Sequence, residues 1–89
     1  MLQKDIEIIN KLGLHARAAA KLVKLASGFD CEIEIQKESQ KVNAKSIMGV
    51  MMLAASRGNI ITIYTEGAEE QSAMKAVESL INDKFGEPE

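Results

Sequence analysis

The residues with the widest chemical scope stand together at Gly13-Leu14-His15-Ala16-Arg17, which includes the only histidine of the chain. A neutral imidazole nitrogen is a nucleophile near neutral pH. A guanidinium two positions on can reach back and pair with phosphate oxygens. The five residues lie where a loop gives way to helical periodicity. Helices ordinarily begin with Ser, Thr, Asp or Asn, whose side chains occupy the orphan amides of the first turn. Here the boundary residue is His15, a poor cap, so the N–H groups of Ala16, Arg17 and Ala18 are left open. Open donors and a partial positive charge make a helix N-terminus a place for an anion. The same field disfavours an imidazolium, so the ring is expected to stay mostly neutral near pH 7. Gly13 supplies a turn that lets the ring stand clear. The chemistry that suits this pattern is bond formation between a ring nitrogen and phosphorus. Arg17 and the amides of Ala16 and Ala18 would hold the phosphate.

A second cluster starts at Ser46, which stands before Ile47-Met48-Gly49-Val50-Met51-Met52-Leu53 and is a natural N-cap for that short apolar helix. Gly49 weakens the helix by about 1 kcal/mol relative to alanine, so its order must come from packing or from a partner. One short helix cannot bury every one of these side chains. Ile47, Val50 and Leu53 are expected to face the core in part, with Met48 and Met51 or Met52 exposed. Taken singly, each is most simply a core residue. As a group they suit protein docking, because flexible thioethers adapt to several partners. Leu14, Ala16 and Ala20 would extend the patch toward His15.

These groups must be positioned by a small body. The 89 residues allow one domain, residues 1–89, with one core and a shallow site near the exterior. Apolar residues are 46% and charged residues 27%, a balance that folds. The net charge of −2, scattered Lys and Arg, and 3% aromatic residues offer nucleic acid neither a basic footprint nor a stacking platform. Cys31 is the only cysteine, which excludes an internal disulfide, and its alternation with Ile33 and Ile35 reads as a buried small hydrophobe. No second histidine or cysteine stands at metal-ligand spacing, and no cofactor is implied. Lys4, Asp5 and Glu7 within the first apolar stretch argue against a signal peptide, and no apolar run would cross a membrane. A cytoplasmic protein without membrane insertion is the expectation.

Alternation and periodicity predict strands at 4–9 (β1), 31–37 (β2), 41–44 (β3) and 60–65 (β4). Helices are predicted at 16–27 (α1), 46–53 (α2) and 69–84 (α3). In α1 the buried stripe is read as Ala16, Ala19, Ala20, Val23 and Ala26, with Gly28 ending the helix through a positive φ. In α3 it is Ala73, Val77, Leu80 and Ile81, with Glu69 and Glu70 suiting the positive end. Gly86-Glu87-Pro88-Glu89 reads as a helix stop followed by a frayed tail. The order βαββαβα implies an α+β open-faced sandwich, an antiparallel sheet with helices on one face. Periodicity leaves the strand order open, and a ferredoxin-like arrangement fits the same string.

Gly13-Leu14-His15-Ala16-Arg17 resembles the active-site signature of the HPr family, phosphocarriers of the phosphoenolpyruvate-dependent phosphotransferase system. Lys45-Ser46-Ile47-Met48 followed by Gly58 resembles the family's second signature, and the spacing between the two agrees. The likeness runs without gaps from about Asp5 to Phe85. It implies a four-stranded sheet of order β1-β4-β2-β3 covered on one face by three helices; a monomer is the expectation. It also implies that His15 takes a phosphoryl group on Nδ1 from enzyme I. The group would pass to enzyme II-type acceptors in sugar uptake or to a nitrogen-related regulatory branch. Ser46 would be a regulatory phosphorylation site for an HPr serine kinase/phosphorylase, and the methionine surface a docking site. Most relatives carry proline where this chain has Ala18, which keeps an N–H that can contact water or phosphate.

Two other classes fit the same residues. A small acylphosphatase-like hydrolase would need a second polar group beside His15–Arg17 to position water, and the sequence offers no good candidate. A purely regulatory binding module would act through Ser46 and the methionines alone.

Overall fold

Strand formation follows the alternating isoleucines. The computed structural model describes residues 1–89 and contains β1 (Leu2–Glu7), α1 (Ala16–Ser27), β2 (Glu32–Lys37), β3 (Gln40–Asn43), α2 (Ile47–Met52), β4 (Ile60–Glu66) and α3 (Glu70–Asn82), with a 3-10 turn at Lys84–Gly86. The four strands form one antiparallel sheet of order β1-β4-β2-β3. Register explains why one face is apolar. Ile6 sits opposite Ile61, Ile35 opposite Ile63 and Ile33 opposite Thr65, so the β-branched residues of three strands share one side of the pleat. All are buried. The other face is polar and wet: Thr62 donates to Asp5 (2.7 Å), the Tyr64 hydroxyl donates to Gln36 (2.7 Å), and the Lys41 ammonium lies 3.9 Å from the Tyr64 ring centre.

The helices cover the apolar face, and twenty residues form a single core. Helix α1 has the predicted bounds but a different buried face: Ala18, Ala19, Leu22 and Ala26 point inward, Ala16 and Ala20 are exposed, and Val23 is half-buried. The helix is alanine-rich on several sides, so its alanines cannot specify a face; Leu22 does. Gly28 ends the helix without a left-handed turn, at φ −82°, its N–H satisfied by Leu25 O at 3.1 Å. In α3, Met74 joins Ala73, Val77 and Ile81 in the core, while Leu80 is half-buried. Cys31 is half-buried against the core rather than within it, and burial, its largest influence, pushes its thiol upward.

The largest departure from the sequence reading is the tail. The chain turns after α3 through left-handed Lys84 (φ 56°) and Phe85 (φ 57°), and the Phe85 ring is fully buried. Lys21 of α1 donates to Phe85 O (2.7 Å), and the Lys11 N–H donates to Glu89 O (3.1 Å). Residues 86–89 are therefore tied back to α1 and to the loop after β1, not frayed. Burying the ring contributes about 1.5–3 kcal/mol and so offsets much of the roughly 1–2 kcal/mol that each left-handed residue costs; the hydrogen bonds that tie down the tail supply the remainder. No helix of the chain is long and apolar enough to cross a membrane.

Candidate functional site

The loop from Asn10 to Leu14 sets the position of His15. Gly13 takes φ +64°, and a Cβ there would lie 2.5 Å from Ala55 O and 2.8 Å from Ser56 Cα. Only glycine fits both the dihedral and the gap. The Leu14 N–H then donates to Ala55 O (2.9 Å), fixing the residue before the helix. Leu14 itself is buried in the core, so its expected place in an exposed docking patch is corrected. It precedes the cap while Ala19 lies four residues into the helix, and both are buried. That is the pattern of a hydrophobic staple, and it is legible in the sequence.

His15 is the N-cap of α1, with extended backbone (φ −73°, ψ 177°) and no side-chain cap bond. The first helical bond runs from the Ala19 N–H to His15 O at 2.8 Å. The N–H groups of Ala16, Arg17 and Ala18 have no backbone acceptor in the protein. Three donors and the helix dipole thus face the region around the ring. Arg17 is exposed and forms no ion pair within the chain, whereas the Ala18 methyl is fully buried. The site is an open depression of about 570 Å³ whose walls include Lys11, Leu12, His15, Arg17 and Glu87.

Glu87 was not found by sequence reasoning. Its carboxylate contacts His15 Nε2 through Oε2 and accepts from Asn10 Nδ2 through Oε1 at 3.0 Å. The His15 and Glu87 side chains are 26% and 12% exposed, so the pair is sheltered but reachable. The Asn10 amide donation, the largest favourable influence, holds the Glu87 carboxyl below the usual carboxylate value; the His15 contact and the Arg17 charge add to this against the opposing cost of burial. Asn10, completely buried, also donates to Gly13 O at 2.8 Å. The loop, the ring and the tail are joined through one amide. A hydrolase reading lacked a second polar group beside His15, and Glu87 is such a group. Both its oxygens are engaged, however, and neither is free to orient water.

Around α2 the sequence reading holds in part. Ser46 is the N-cap, its hydroxyl accepting from the Gly49 N–H at 3.1 Å. Val50 and Leu53 are buried, but Ile47 is exposed rather than turned to the core. Met48 (69% exposed), Met51 and Met52 join it on the surface. Helix α2 packs beside α1, on which Ala16 and Ala20 are exposed. Leu12, exposed on the wall of the His15 depression, is a further apolar candidate that the sequence reading passed over.

Comparison with known proteins agrees with this geometry. The family model described as "PTS HPr component phosphorylation site" matches residues 2–83. The phosphocarrier protein HPr of Cupriavidus necator and that of Neisseria meningitidis are each 55% identical to the chain over 89 residues, covering all of both proteins. The crystal structure of HPr-C-His from Thermoanaerobacter tengcongensis superposes with a TM-score of 0.96 at 50% identity, covering all of both chains.

Proposed function

Since the chain belongs to the HPr family, the phosphocarriers of the phosphotransferase system, we propose that it accepts a phosphoryl group on His15 Nδ1 from enzyme I. The group then passes to enzyme II-type acceptors in sugar uptake or to a nitrogen-related regulatory acceptor. The observation that carries this reading is the placement of the only histidine as an uncapped N-cap, beside three amides without acceptors. In the transfer the Nδ1 lone pair forms the bond to phosphorus as the donor's bond to phosphorus breaks, its electron pair leaving with the donor. The Ala16, Arg17 and Ala18 amides and the Arg17 guanidinium offset the phosphate charge. Arg17 has no internal partner to give up, so it can turn to the phosphate without breaking an ion pair.

Incubation with phosphoenolpyruvate and enzyme I should label the protein once per chain, on His15, and His15→Ala should abolish labelling. Stoichiometric labelling marks a carrier. Steady phosphate release from acetyl phosphate would mark a hydrolase and refute the proposal. A pure adaptor would keep its function in His15→Ala.

The exposed Ile47, Met48, Met51 and Met52, with Ala20, are the proposed docking surface, and the packing of α2 beside the helix that His15 caps supports that role. Ser46 is the proposed regulatory phosphorylation site for a serine kinase/phosphorylase. A phosphate at this cap would gain from the helix field while setting nearly two negative charges beside the docking surface. Residues 1–89 act as one phosphocarrier domain in the cytoplasm.

A further inference from the structure

We propose that Asn10 and Glu87 are positioning residues that hold His15 with its proton on Nε2, so that Nδ1 is the ring nitrogen left to meet phosphorus. This rests on the phosphoryl-acceptor reading above and adds what aligns the acceptor. The assignment of atoms comes from donor and acceptor counting. Gly13 O can only accept, so the nitrogen of the Asn10 amide must face it, and this orientation also points Nδ2 at Glu87 Oε1. With the amide reversed, its oxygen would face a carbonyl and a carboxylate at once. Glu87 Oε1 is therefore an acceptor. An ionised carboxylate can only accept from His15 as well, which places the hydrogen on Nε2. In the neutral ring the lone pair is then on Nδ1, which forms no hydrogen bond with the protein.

A second observation supports a purpose beyond packing. The Asn10 Oδ1 atom is buried with no partner. A buried unpaired oxygen is unfavourable and uncommon. It is tolerated here in an orientation that gives both Nδ2 hydrogens to the Gly13 turn and the Glu87 carboxylate. Asparagine is thus committed to the two segments that flank the ring, one in the loop after β1 and one 77 residues away.

The arrangement removes proton movement from the transfer. On acceptance, Nδ1 bonds to phosphorus, the donor's bond to phosphorus breaks with its electron pair, and the Nε2 proton stays in place. The phosphorylated ring carries positive charge that faces the Glu87 carboxylate. On donation, an acceptor atom bonds to phosphorus and the electron pair of the N–P bond returns to Nδ1. The departing group is a neutral imidazole, still protonated on Nε2. The titratable neighbour of Glu87 is His15 and the charged one Arg17, both at the start of α1; Lys11 and Glu89 pair with one another at the rim (3.3 Å).

The test uses the full chain with nitrogen-15 in the histidine, read by NMR at a pH where the ring is uncharged. In Glu87→Ala the ratio of Nε2–H to Nδ1–H tautomers should fall about tenfold, the equivalent of ~1.4 kcal/mol for a partly sheltered charge-assisted bond. Glu87→Gln, whose single oxygen cannot serve both Asn10 and His15, should fall in between. Labelling by a phosphorylated donor should slow at saturating donor, with the half-saturating concentration unchanged. An unchanged tautomer ratio in Glu87→Ala overturns the proposal. So does a changed ratio with undiminished labelling, because the tautomer would then be irrelevant to transfer. Failure of the wild-type protein to label refutes the acceptor reading itself, and this role with it. That outcome is seen before any variant is made.

Discussion

Gly13→Ala tests whether the loop holding His15 is set by a close backbone approach or by dihedral preference alone. At φ +64° an alanine incurs the left-handed penalty of roughly 1–2 kcal/mol. Its Cβ would also stand 2.5 Å from Ala55 O and 2.8 Å from Ser56 Cα, both backbone atoms that cannot rotate away. Relieving that overlap means moving the loop off Ala55 and weakening the Leu14–Ala55 hydrogen bond, a further cost of about 1–3 kcal/mol by analogy with overpacked cores. The total, about 2–5 kcal/mol, is a large part of the roughly 4–13 kcal/mol expected for a domain of this size. Gly58 supplies the control: its φ is +91°, yet an added Cβ would meet nothing within 4 Å. Gly58→Ala should therefore cost only the dihedral penalty. Urea unfolding of both variants, compared at an unchanged slope, reads the difference directly. Gly13→Ala should unfold at the lower midpoint, by about 1–3 kcal/mol of stability. Equal losses, or a greater loss in Gly58→Ala, would refute the close-approach argument.

Other consequences follow from the cap, the tail and the first helical turn. Ser46→Ala removes the acceptor of the Gly49 N–H and should lower stability by about 1 kcal/mol in the same assay. Ser46→Asp should slow phosphorylation of His15 by enzyme I by roughly tenfold, since a new negative charge beside a docking surface acts chiefly on encounter; unchanged kinetics would count against docking there. The Glu87 carboxyl is depressed in the folded protein, so its contribution is fully present above its ordinary value of 4.5 and is lost as the pH falls below that value. Amide shifts of Gly86, Glu87, Glu89 and Lys11 should accordingly move together in acid, before global unfolding. Ala18→Pro should fold, because the Ala18 N–H has no backbone acceptor to lose, and should retain phosphoryl acceptance through the Ala16 and Arg17 amides and the Arg17 guanidinium that remain. A variant that folds but no longer labels would show that this N–H is required.

What could be read from the sequence was what depends on neighbours along the chain. The bounds of α1, the Ser46 cap and the strand face at Ile33 and Ile35 all follow from local spacing. The strand order came from the family resemblance, because alternation says which face is buried but not which strand lies beside which. The facing of α1 escaped because alanine is small enough to sit on either side of a helix. Ile47 escaped for a related reason: a six-residue helix has too few positions to define a stripe, and Val50 with Leu53 already fills the inward one. Glu87 and Asn10 escaped more completely. Gly-Glu-Pro-Glu has the composition of a loose end, and the group that pairs with Glu87 lies 72 residues earlier. No periodicity links the two. The nearest signal was Phe85, an aromatic residue too large to leave in water at the end of an otherwise polar segment.

The docking of the last residues makes the two ends of this polypeptide unequal as handles. The Met1 amino group pairs with Glu70 at the start of α3 (3.4 Å), and the six residues of β1 set it about 20 Å from the loop that carries the imidazole. Glu89, by contrast, touches Lys11 on the rim of the depression itself. A purification peptide, fluorophore or surface tether joined through the amino end leaves the ring's surroundings intact, whereas the same cargo after Glu89 pulls on the carboxylate that touches it.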